Sequence, residues 1–433
     1  FLNQLGVNPV FNLLTSTLDD NRKENRTLHL MSEEDALSKV QKYLHRQGID
    51  RLSPIARKVE REGTPNRRNV VLVFMESMSA NLMGTFGSDK KLTPYLDSLY
   101  QQSLSFSHFY SSGIHTNHGI YSTLYSFPAI MKRNAMKGSV IPVYSGLPTV
   151  LQENGYCNLF FMTHESQYDN MNAFLRTNGF DEIYAQENYP SEKVVNSFGV
   201  QDDFMYQYAL PILNERAGTG NPFFSVLLSI SNHPPYVIPP YFHPHSDVLE
   251  EQIVEYADWS IRQFMQAAEK QPWFDNTIFV FLGDHGKMVG TPECEMPQSY
   301  NHIPLMIYGK DIKPGVYDGF GGQVDVSPTL LGLLNISYLQ NNFGVNLLEE
   351  ERPCMFFTAD NLIGARDSVN MFIYSPDSQQ EFKYKLEEGK LHAATGTDEE
   401  AFRNLKDYCF SMLQSTESLV KEHKTLDKVS VKK

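Results

Sequence analysis

An uninterrupted apolar run ends abruptly in polar residues late in the chain. Residues 278–282 are Ile, Phe, Val, Phe and Leu, and Gly283, Asp284, His285 and Gly286 follow directly. Such a run predicts a strand covered on both faces, as in a parallel sheet between helices. Ligands bind at the carboxyl ends of strands in open α/β sheets. Asp284 and His285 together suit a divalent metal of the zinc or manganese type, although the pair could instead cap a helix.

A second apolar run ends in a carboxylate. Residues 69–75 are Asn, Val, Val, Leu, Val, Phe and Met, and Glu76 and Ser77 follow them. If this strand lies beside the first one, the carboxylates of Glu76 and Asp284 converge. A cation between two carboxylates removes their repulsion, so this edge of the sheet is a candidate metal site. The alternative is that Glu76 caps a helix beginning near Ser79.

A helix N-terminus rich in hydroxyl groups is predicted within residues 111–130. Small and polar residues there precede an apolar stretch at helical spacing from Ile120, which places Thr116 or Asn117 near the helix start. A hydroxyl at this place suits a nucleophile that attacks phosphorus after activation by a metal. Thr116 could instead be a plain N-cap, and the neighbouring serines are competing nucleophiles.

The fold class follows from the alternation of strand and helix patterns between Asn69 and about Ile336. The other strong strand candidates are residues 156–163, 223–231 and 303–309, with helical patterns at 149–155 and 255–270. This alternation predicts an α/β fold with a mostly parallel central sheet and helices on both faces. From about residue 353, short segments predict a small C-terminal antiparallel sheet, followed by a helix from Glu399 to about Leu413.

Three regions are therefore expected. Residues 1–65 predict a helical linker arm, in which Ser32 to Asp35 resembles a capping box at the start of a helix. A charged stretch at 57–69 marks the end of this arm. Residues 66–350 form the catalytic α/β domain, and residues 351–433 form a C-terminal α+β subdomain.

Composition excludes several classes of protein. The net charge is −14, and no stripe of Lys and Arg breaks that balance, so nucleic acid is not an expected partner. An anionic substrate would need a local positive centre, which a metal supplies. The four cysteines form no CxxC pair, which argues against a thiolate metal site and leaves one or two disulfides open. No apolar run is long enough to span a bilayer.

Taken in order, the motifs resemble the ectodomains of lipoteichoic acid synthases and phosphoglycerol transferases, within the alkaline phosphatase and sulfatase superfamily. They are Glu76–Ser77, the helix-opening Thr116, SNHPPY at residues 231–236 and GDHG at 283–286. The resemblance spans roughly residues 66–350 and implies an alkaline-phosphatase-like fold. It also implies one divalent metal and a phospho-threonine intermediate on Thr116. The implied metal ligands are Glu76, Thr116, Asp284 and His285.

The resemblance further implies substrate contacts. His233 and His164 match family histidines on the substrate side, with His233 beside the substrate phosphate. The family's Trp and Arg, which hold glycerol phosphate, correspond here to Met171 and Ala173. This chain therefore lacks the arginine that would bind an anionic head group at this position, which leaves phosphoglycerol specificity open.

Three further residues are substrate-binding candidates. Asp169 and Asn172 are polar residues near the missing arginine. His302 precedes the predicted strand at 303–309, where a substrate contact and a structural role are both open. Asp325 precedes a helix beginning near Pro328 and is expected to cap it.

The expected function is that of a metal-dependent phosphotransferase. It would move a phosphoglycerol-type head group from a phospholipid donor to a glycan or polymer acceptor, with manganese as the expected ion and zinc or magnesium as alternatives. A phosphoethanolamine transferase, a phosphodiesterase and a non-catalytic sensor or binding ectodomain remain alternatives. A true sulfatase is not expected, because no Cys-x-Pro-x-Arg or Ser-x-Pro-x-Arg stretch occurs.

The expected location is the cell envelope. The opening residues from Phe1 resemble the juncture that follows the family's transmembrane helices. A removed N-terminal membrane anchor is therefore expected, with this domain facing the periplasm or the cell exterior.

Overall fold

An eight-stranded mixed sheet forms the centre of the fold. The structure is a computed structural model that describes residues 28–49, 52–138, 140–387, 389–394 and 399–426. The strands are β1 (Arg57–Val59), β2 (Asn69–Met75), β3 (Leu104–Tyr110), β4 (Cys157–Met162), β5 (Glu182–Tyr184), β6 (Val194–Asn196), β7 (Gly199–Val200), β8 (Phe223–Leu228), β9 (Thr277–Gly283), β10 (Leu305–Tyr308), β11 (Gly315–Gly322), β12 (Tyr338–Gln340), β13 (Met355–Thr358), β14 (Ile363–Arg366), β15 (Asn370–Ser375), β16 (Gln380–Glu387) and β17 (Lys390–Ala393).

Helices cover both faces of this sheet. The helices are α1 (Glu33–Tyr43), α2 (Pro94–Gln102), α3 (Thr116–Tyr125), α4 (Leu147–Glu153), α5 (Met171–Thr177), α6 (Asp202–Ala217), α7 (Leu249–Ala268), α8 (Gln298–Asn301), α9 (Val326–Leu333) and α10 (Glu399–Lys421). Alternate residues of the fully buried β2 enter two different cores. Val70 and Leu72 pack with α3, α4 and α9, whereas Val71 and Val73 pack with α2, α6 and α7.

The strand order is β11–β3–β10–β9–β2–β8–β4–β5. The predicted mostly parallel sheet is confirmed, and β10 is the exception because it runs antiparallel to both of its neighbours, β3 and β9. Strands β3 and β11 were not among the predicted strands. The serines and the histidine of β3 and the four glycines of β11 lack the continuous apolar pattern that marks the central strands.

The small C-terminal antiparallel sheet is also confirmed, with the order β13–β14–β15–β16–β17. Helix α10 packs against it and continues to Lys421, past the predicted end near Leu413. Polar residues such as Ser415 and Glu417 lie on its buried face, which hides the helical pattern in this stretch. All four cysteines are free thiols.

The charged stretch at 57–69 is joined to the rest of the fold at its start. Strand β1 pairs with β12, and Arg57 forms an ion pair with Glu350 at 2.5 Å. The predicted cap of α1 is present, since the Ser32 hydroxyl accepts a hydrogen bond from the Asp35 amide at 3.1 Å. Residues 1–27 of the predicted arm, and the residues expected to follow an anchor, lie outside the described residues. Within the described part, no helix is both long and apolar enough to cross a bilayer.

Candidate active site

The candidate metal ligands meet at the carboxyl ends of β2 and β9. These strands are parallel neighbours, with Met75 opposite Gly283, so Glu76 and Asp284 leave the sheet side by side. Ligand atoms of Glu76, Asp284 and His285 lie within 4.8 Å of one another. Local strand order thus gathers residues that are about two hundred positions apart in the chain.

Backbone amides orient Asp284 towards the cluster. Its Oδ1 accepts hydrogen bonds from the Ser77 amide at 2.8 Å and the His285 amide at 2.7 Å. Its Oδ2 is buried and has no hydrogen-bond partner. A buried carboxylate oxygen without a partner is costly, so this atom marks a place for a cation.

His285 presents a lone pair to the same point. Its Nδ1 lies 2.8 Å from the carbonyl oxygen of Gly286, which can only accept, so Nδ1 carries a proton and Nε2 of the neutral ring bears the lone pair. The free Nε2 lies 3.5 Å from Asp284 Oδ2 and 3.8 Å from Glu76 Oε1. This tautomer is the one that can coordinate a metal through Nε2.

Glu76 completes the acidic part of the cluster. Its Oε1 accepts a hydrogen bond from the Ser77 hydroxyl at 2.7 Å, and its side chain is buried. Burial, followed by the charge of Asp284, raises the pKa of Glu76 well above its usual value. Two buried carboxylates with an imidazole nitrogen fit a divalent ion such as zinc or manganese, which would relieve this repulsion.

Thr116 lies beside the cluster as the first residue of α3. Its hydroxyl donates to Glu76 Oε2 across 3.4 Å. The approach is close because residue 119 is glycine: a Cβ there would lie 2.3 Å from the carbonyl oxygen of Asp284. The hydroxyl therefore sits at a helix N-terminus and next to the metal ligands at once.

The loop after β8 carries His233 to this edge of the sheet. Asp202 holds the loop by accepting hydrogen bonds from the amides of Ile230 at 2.9 Å and Ser231 at 3.1 Å. The partly exposed ring of His233 lies 4.2 Å from the ring of Phe198. His164 is buried, its Nδ1 lies 2.9 Å from the carbonyl oxygen of Glu165, and burial lowers its pKa.

The remaining predicted substrate-binding residues near the missing arginine, Asp169 and Asn172, differ in where their side chains lie. Asp169 reaches α3, since its Oδ2 accepts a hydrogen bond from Asn117 Nδ2 at 3.1 Å. Its other oxygen pairs with Lys137 at 2.8 Å. Asn172 instead accepts a hydrogen bond from Arg176 at 3.0 Å on the exposed surface of its own helix.

His302 lies in a different cleft, of about 530 Å³, that none of the four candidate metal ligands lines. Its Nε2 is 2.9 Å from the carbonyl oxygen of Ser107, and its ring stacks on Tyr110 with centroids 5.2 Å apart. This placement favours the structural role over contact with a substrate at the metal cluster.

Sequence reasoning missed two residues that join the loops around the cluster. Asn232 is buried, and its Nδ2 donates to the carbonyl oxygens of Glu76 at 3.1 Å and Ser77 at 3.3 Å. Lys287 donates from Nζ to Asn232 Oδ1 at 2.6 Å, and burial lowers its pKa to about 8. Both directly adjoin recognised motif residues, His233 and Gly286, and that adjacency was the only available signal.

Comparison with known proteins identifies the family of this chain. The model of the sulfatase family matches residues 68–336, which is more than half of the chain. The chain belongs to the sulfatase family. The expected membership of the alkaline phosphatase and sulfatase superfamily, a superfamily of enzymes, is thereby confirmed.

Among curated relatives, this sulfatase-family chain is similar to the lipoteichoic acid synthase-like protein YvgJ of Bacillus subtilis. The two are 25% identical over 362 residues, covering 76% of this chain and 56% of YvgJ. A lipoteichoic acid synthase of Staphylococcus aureus is 24% identical over 400 residues, covering 81% of this chain and 58% of the relative. The chain thus spans little more than half the length of these relatives.

Solved structures agree on the fold. A protein of the alkaline phosphatase superfamily from Vibrio parahaemolyticus has a TM-score of 0.83 and 25% identity, covering 93% of this chain and 99% of that one. The lipoteichoic acid synthase LtaP from Listeria monocytogenes has a TM-score of 0.71 and 21% identity, covering 89% and 98%. The expected alkaline-phosphatase-like fold is confirmed.

Proposed function

We propose that this chain is the catalytic part of a metal-dependent phosphotransferase. It moves a phosphoglycerol-type head group from a phospholipid donor to a glycan or polymer acceptor, by way of a phospho-threonine on Thr116. One observation carries the proposal: the Thr116 hydroxyl, at the start of α3, lies beside Glu76, Asp284 and His285, whose ligand atoms are within 4.8 Å of one another. The similarity to lipoteichoic acid synthases supports the choice of substrates.

The chain's own residues account for most of the chemistry. Glu76, Asp284, His285 and Thr116 would hold the ion, which would lower the pKa of the Thr116 hydroxyl and offset negative charge on the phosphate. In the first step the bond between Thr116 Oγ1 and phosphorus forms. The bond from phosphorus to the lipid alcohol breaks, and that alcohol leaves with a proton.

The second step reverses the first with a different alcohol. A hydroxyl of the acceptor attacks phosphorus, and Thr116 regains its hydroxyl proton as the phosphoryl group departs. His233 and His164 lie on the substrate side in this proposal, where they stabilise the charged oxygens. Water as the acceptor would make the enzyme a phosphodiesterase, so the acceptor decides the reaction class.

Manganese is the proposed ion, and the cell envelope is the proposed site of action, with a membrane anchor preceding this chain. The ion is tested by chelation. Removing the metal should abolish turnover, and adding back manganese, zinc or magnesium one at a time should restore it for the native ion. Metal analysis of the purified protein should show one equivalent, and full turnover by the metal-free protein would contradict the mechanism.

The covalent step is tested by comparing Thr116→Ala with Thr116→Ser. Thr116→Ala removes the attacking oxygen and should abolish release of the lipid alcohol, whereas Thr116→Ser keeps an oxygen and should retain part of it. Lipids with glycerol or ethanolamine head groups serve as donors, and intact-mass spectrometry should detect a phosphoryl adduct on the wild type but not on Thr116→Ala. Undiminished turnover by Thr116→Ala would exclude the phospho-threonine.

A further inference from the structure

Lys287 is a partly buried cation that has no anionic partner in the structure. Its ammonium group donates to the neutral amide oxygen of Asn232 at 2.6 Å and lies 5.5 Å from the centre of the Tyr236 ring. Within the described part of the chain its ammonium group contacts this amide rather than a carboxylate, although the charges of Glu250 and Glu76 both act on it. Placing a charge away from water without a counter-ion is unfavourable, which indicates that an anion completes this place in the working enzyme.

Lys287 is held in position from both ends. Its amide donates to the Ser79 hydroxyl at 2.8 Å, and that hydroxyl donates back to the Lys287 carbonyl oxygen at 3.0 Å. At the other end, the Asn232 amide that receives the ammonium group also donates to the carbonyl oxygens of Glu76 and Ser77. The ammonium group is therefore fixed two hydrogen bonds away from the backbone of Glu76.

The charges around the cluster indicate which kind of anion would bind beside Lys287. Glu76 and Asp284 together balance a divalent ion, which leaves the single negative charge of a phosphodiester uncompensated. Lys137 is already paired with Asp169 at 2.8 Å. Lys287, linked through Asn232 to the backbone of Glu76, is the cation placed to meet this charge.

We propose that Lys287 binds the phosphate-ester anion of the substrate and supplies the positive charge that Ala173 does not. The inference deepens the proposed function, on which it rests, by naming the residue that holds the substrate's charged group. Ala173 lies in α5, whereas Lys287 lies in the loop after β9 and would reach the phosphate from there. The site accepts phosphate monoanions and diesters, whatever alcohol they carry.

The test is phosphate affinity, measured by calorimetry on metal-loaded Thr116→Ala protein so that no turnover interferes. Inorganic phosphate is the probe. Adding Lys287→Met should weaken phosphate binding about 10- to 100-fold, because a charge-assisted contact is lost. Lys287→Arg should recover part of this affinity, and Lys270→Met, at an exposed lysine after α7, should leave it unchanged.

Two further measurements separate binding from a structural role. Metal content and melting temperature should be the same in Lys287→Met and its parent. If either quantity differs, Lys287→Gln, which keeps a hydrogen-bond donor for Asn232, is used in place of Lys287→Met. With Thr116 present, Lys287→Met should also raise KM for bis(4-nitrophenyl) phosphate.

Phosphate affinity equal to that of the parent would overturn the proposal for Lys287 and leave the role of Thr116 intact. Full turnover by Thr116→Ala would instead overturn the covalent mechanism, while the phosphate measurement would still decide the role of Lys287.

Discussion

At the scale of single residues, the cluster depends on a missing side chain. Gly119 lets α3 approach the backbone of Asp284, and a Cβ there would meet a carbonyl oxygen at 2.3 Å. Backbone cannot yield as the end of a flexible side chain can. The distance between the Thr116 hydroxyl and the metal ligands is therefore set by this contact.

Gly119→Ala should push α3 away from β9. We expect a loss of about 1–3 kcal/mol in the free energy of unfolding, as for other overpacked positions, and a weaker affinity for the metal. Urea denaturation and metal titration measure the two effects. Gly315→Ala is the matched control, because its Cβ would meet nothing within 4 Å. Equal stability of the two variants would show that the close approach is not limiting.

Part of this cluster could be predicted from the sequence, and part could not. Glu76, Asp284 and His285 stand directly after apolar runs, so the pattern of their strands places them at one edge of a sheet. Asn232 and Lys287 were missed because their roles arise from hydrogen bonds between loops, which leave no periodic signal. Asn172 was a candidate by its position in the chain, yet its side chain turns to Arg176.

At the scale of elements, a buried ion pair joins the segments around α9. Arg352 pairs with Asp325 at 2.5 Å, with both side chains almost fully buried. Asp325 also accepts from the amides of Gly322 at 3.0 Å and Val345 at 2.9 Å, and Arg352 donates to the Tyr408 hydroxyl at 3.0 Å. The pair thus connects β11, α9 and α10.

Arg352→Met should destabilise the protein by about 3–5 kcal/mol, because it leaves the charge of Asp325 buried and unpaired. Chemical denaturation measures this loss. Lys310→Met breaks the exposed pair with Asp275 and should have a far smaller effect, because water screens this pair. A similar loss in both variants would contradict this stabilising role of the buried pair.

Strand identity was easier to predict than strand direction. The central strands have continuous apolar runs, which depend only on burial, and these were found. The reversal of β10 depends on which neighbours it meets, and its own residues, Leu305 to Tyr308, resemble those of a parallel strand. The need for glycines in β11 likewise depends on tertiary packing, since Gly321 lies against the side chains of Leu347 and Phe109.

At the scale of the whole molecule, the first residues that the structure describes are hydrogen-bonded to α10. The amides of Leu28 and Leu30 donate to Glu417 at 3.2 Å and to Gln414 at 3.1 Å. Burial raises the pKa of Glu417 to about 7. The folded protein therefore holds a proton here that the unfolded chain, with its usual carboxyl pKa, releases at lower pH.

This difference makes stability depend on pH in a known direction. The contribution of Glu417 is fully present below the usual carboxyl pKa and is lost as pH rises through about 7. Between pH 5 and pH 8 the wild type should lose up to about 3 kcal/mol more than Glu417→Gln, which cannot ionise. Denaturation at several pH values measures the slopes, with the exposed Glu400→Gln as control. Parallel slopes for wild type and Glu417→Gln would contradict the assignment.

The reversed strand β10 has a consequence for how such a fold diversifies. Because β10 runs opposite to β9, the excursion from residue 284 to 304 departs from and returns to the same rim of the sheet. Backbone hydrogen bonds join Asn301, His302 and Ile303 to neighbouring segments, so changes in length and composition are best accommodated at the mostly exposed residues 290–295. New substrate preferences can therefore evolve in this exposed part of the excursion, while Asp284 and His285 at its start stay unchanged.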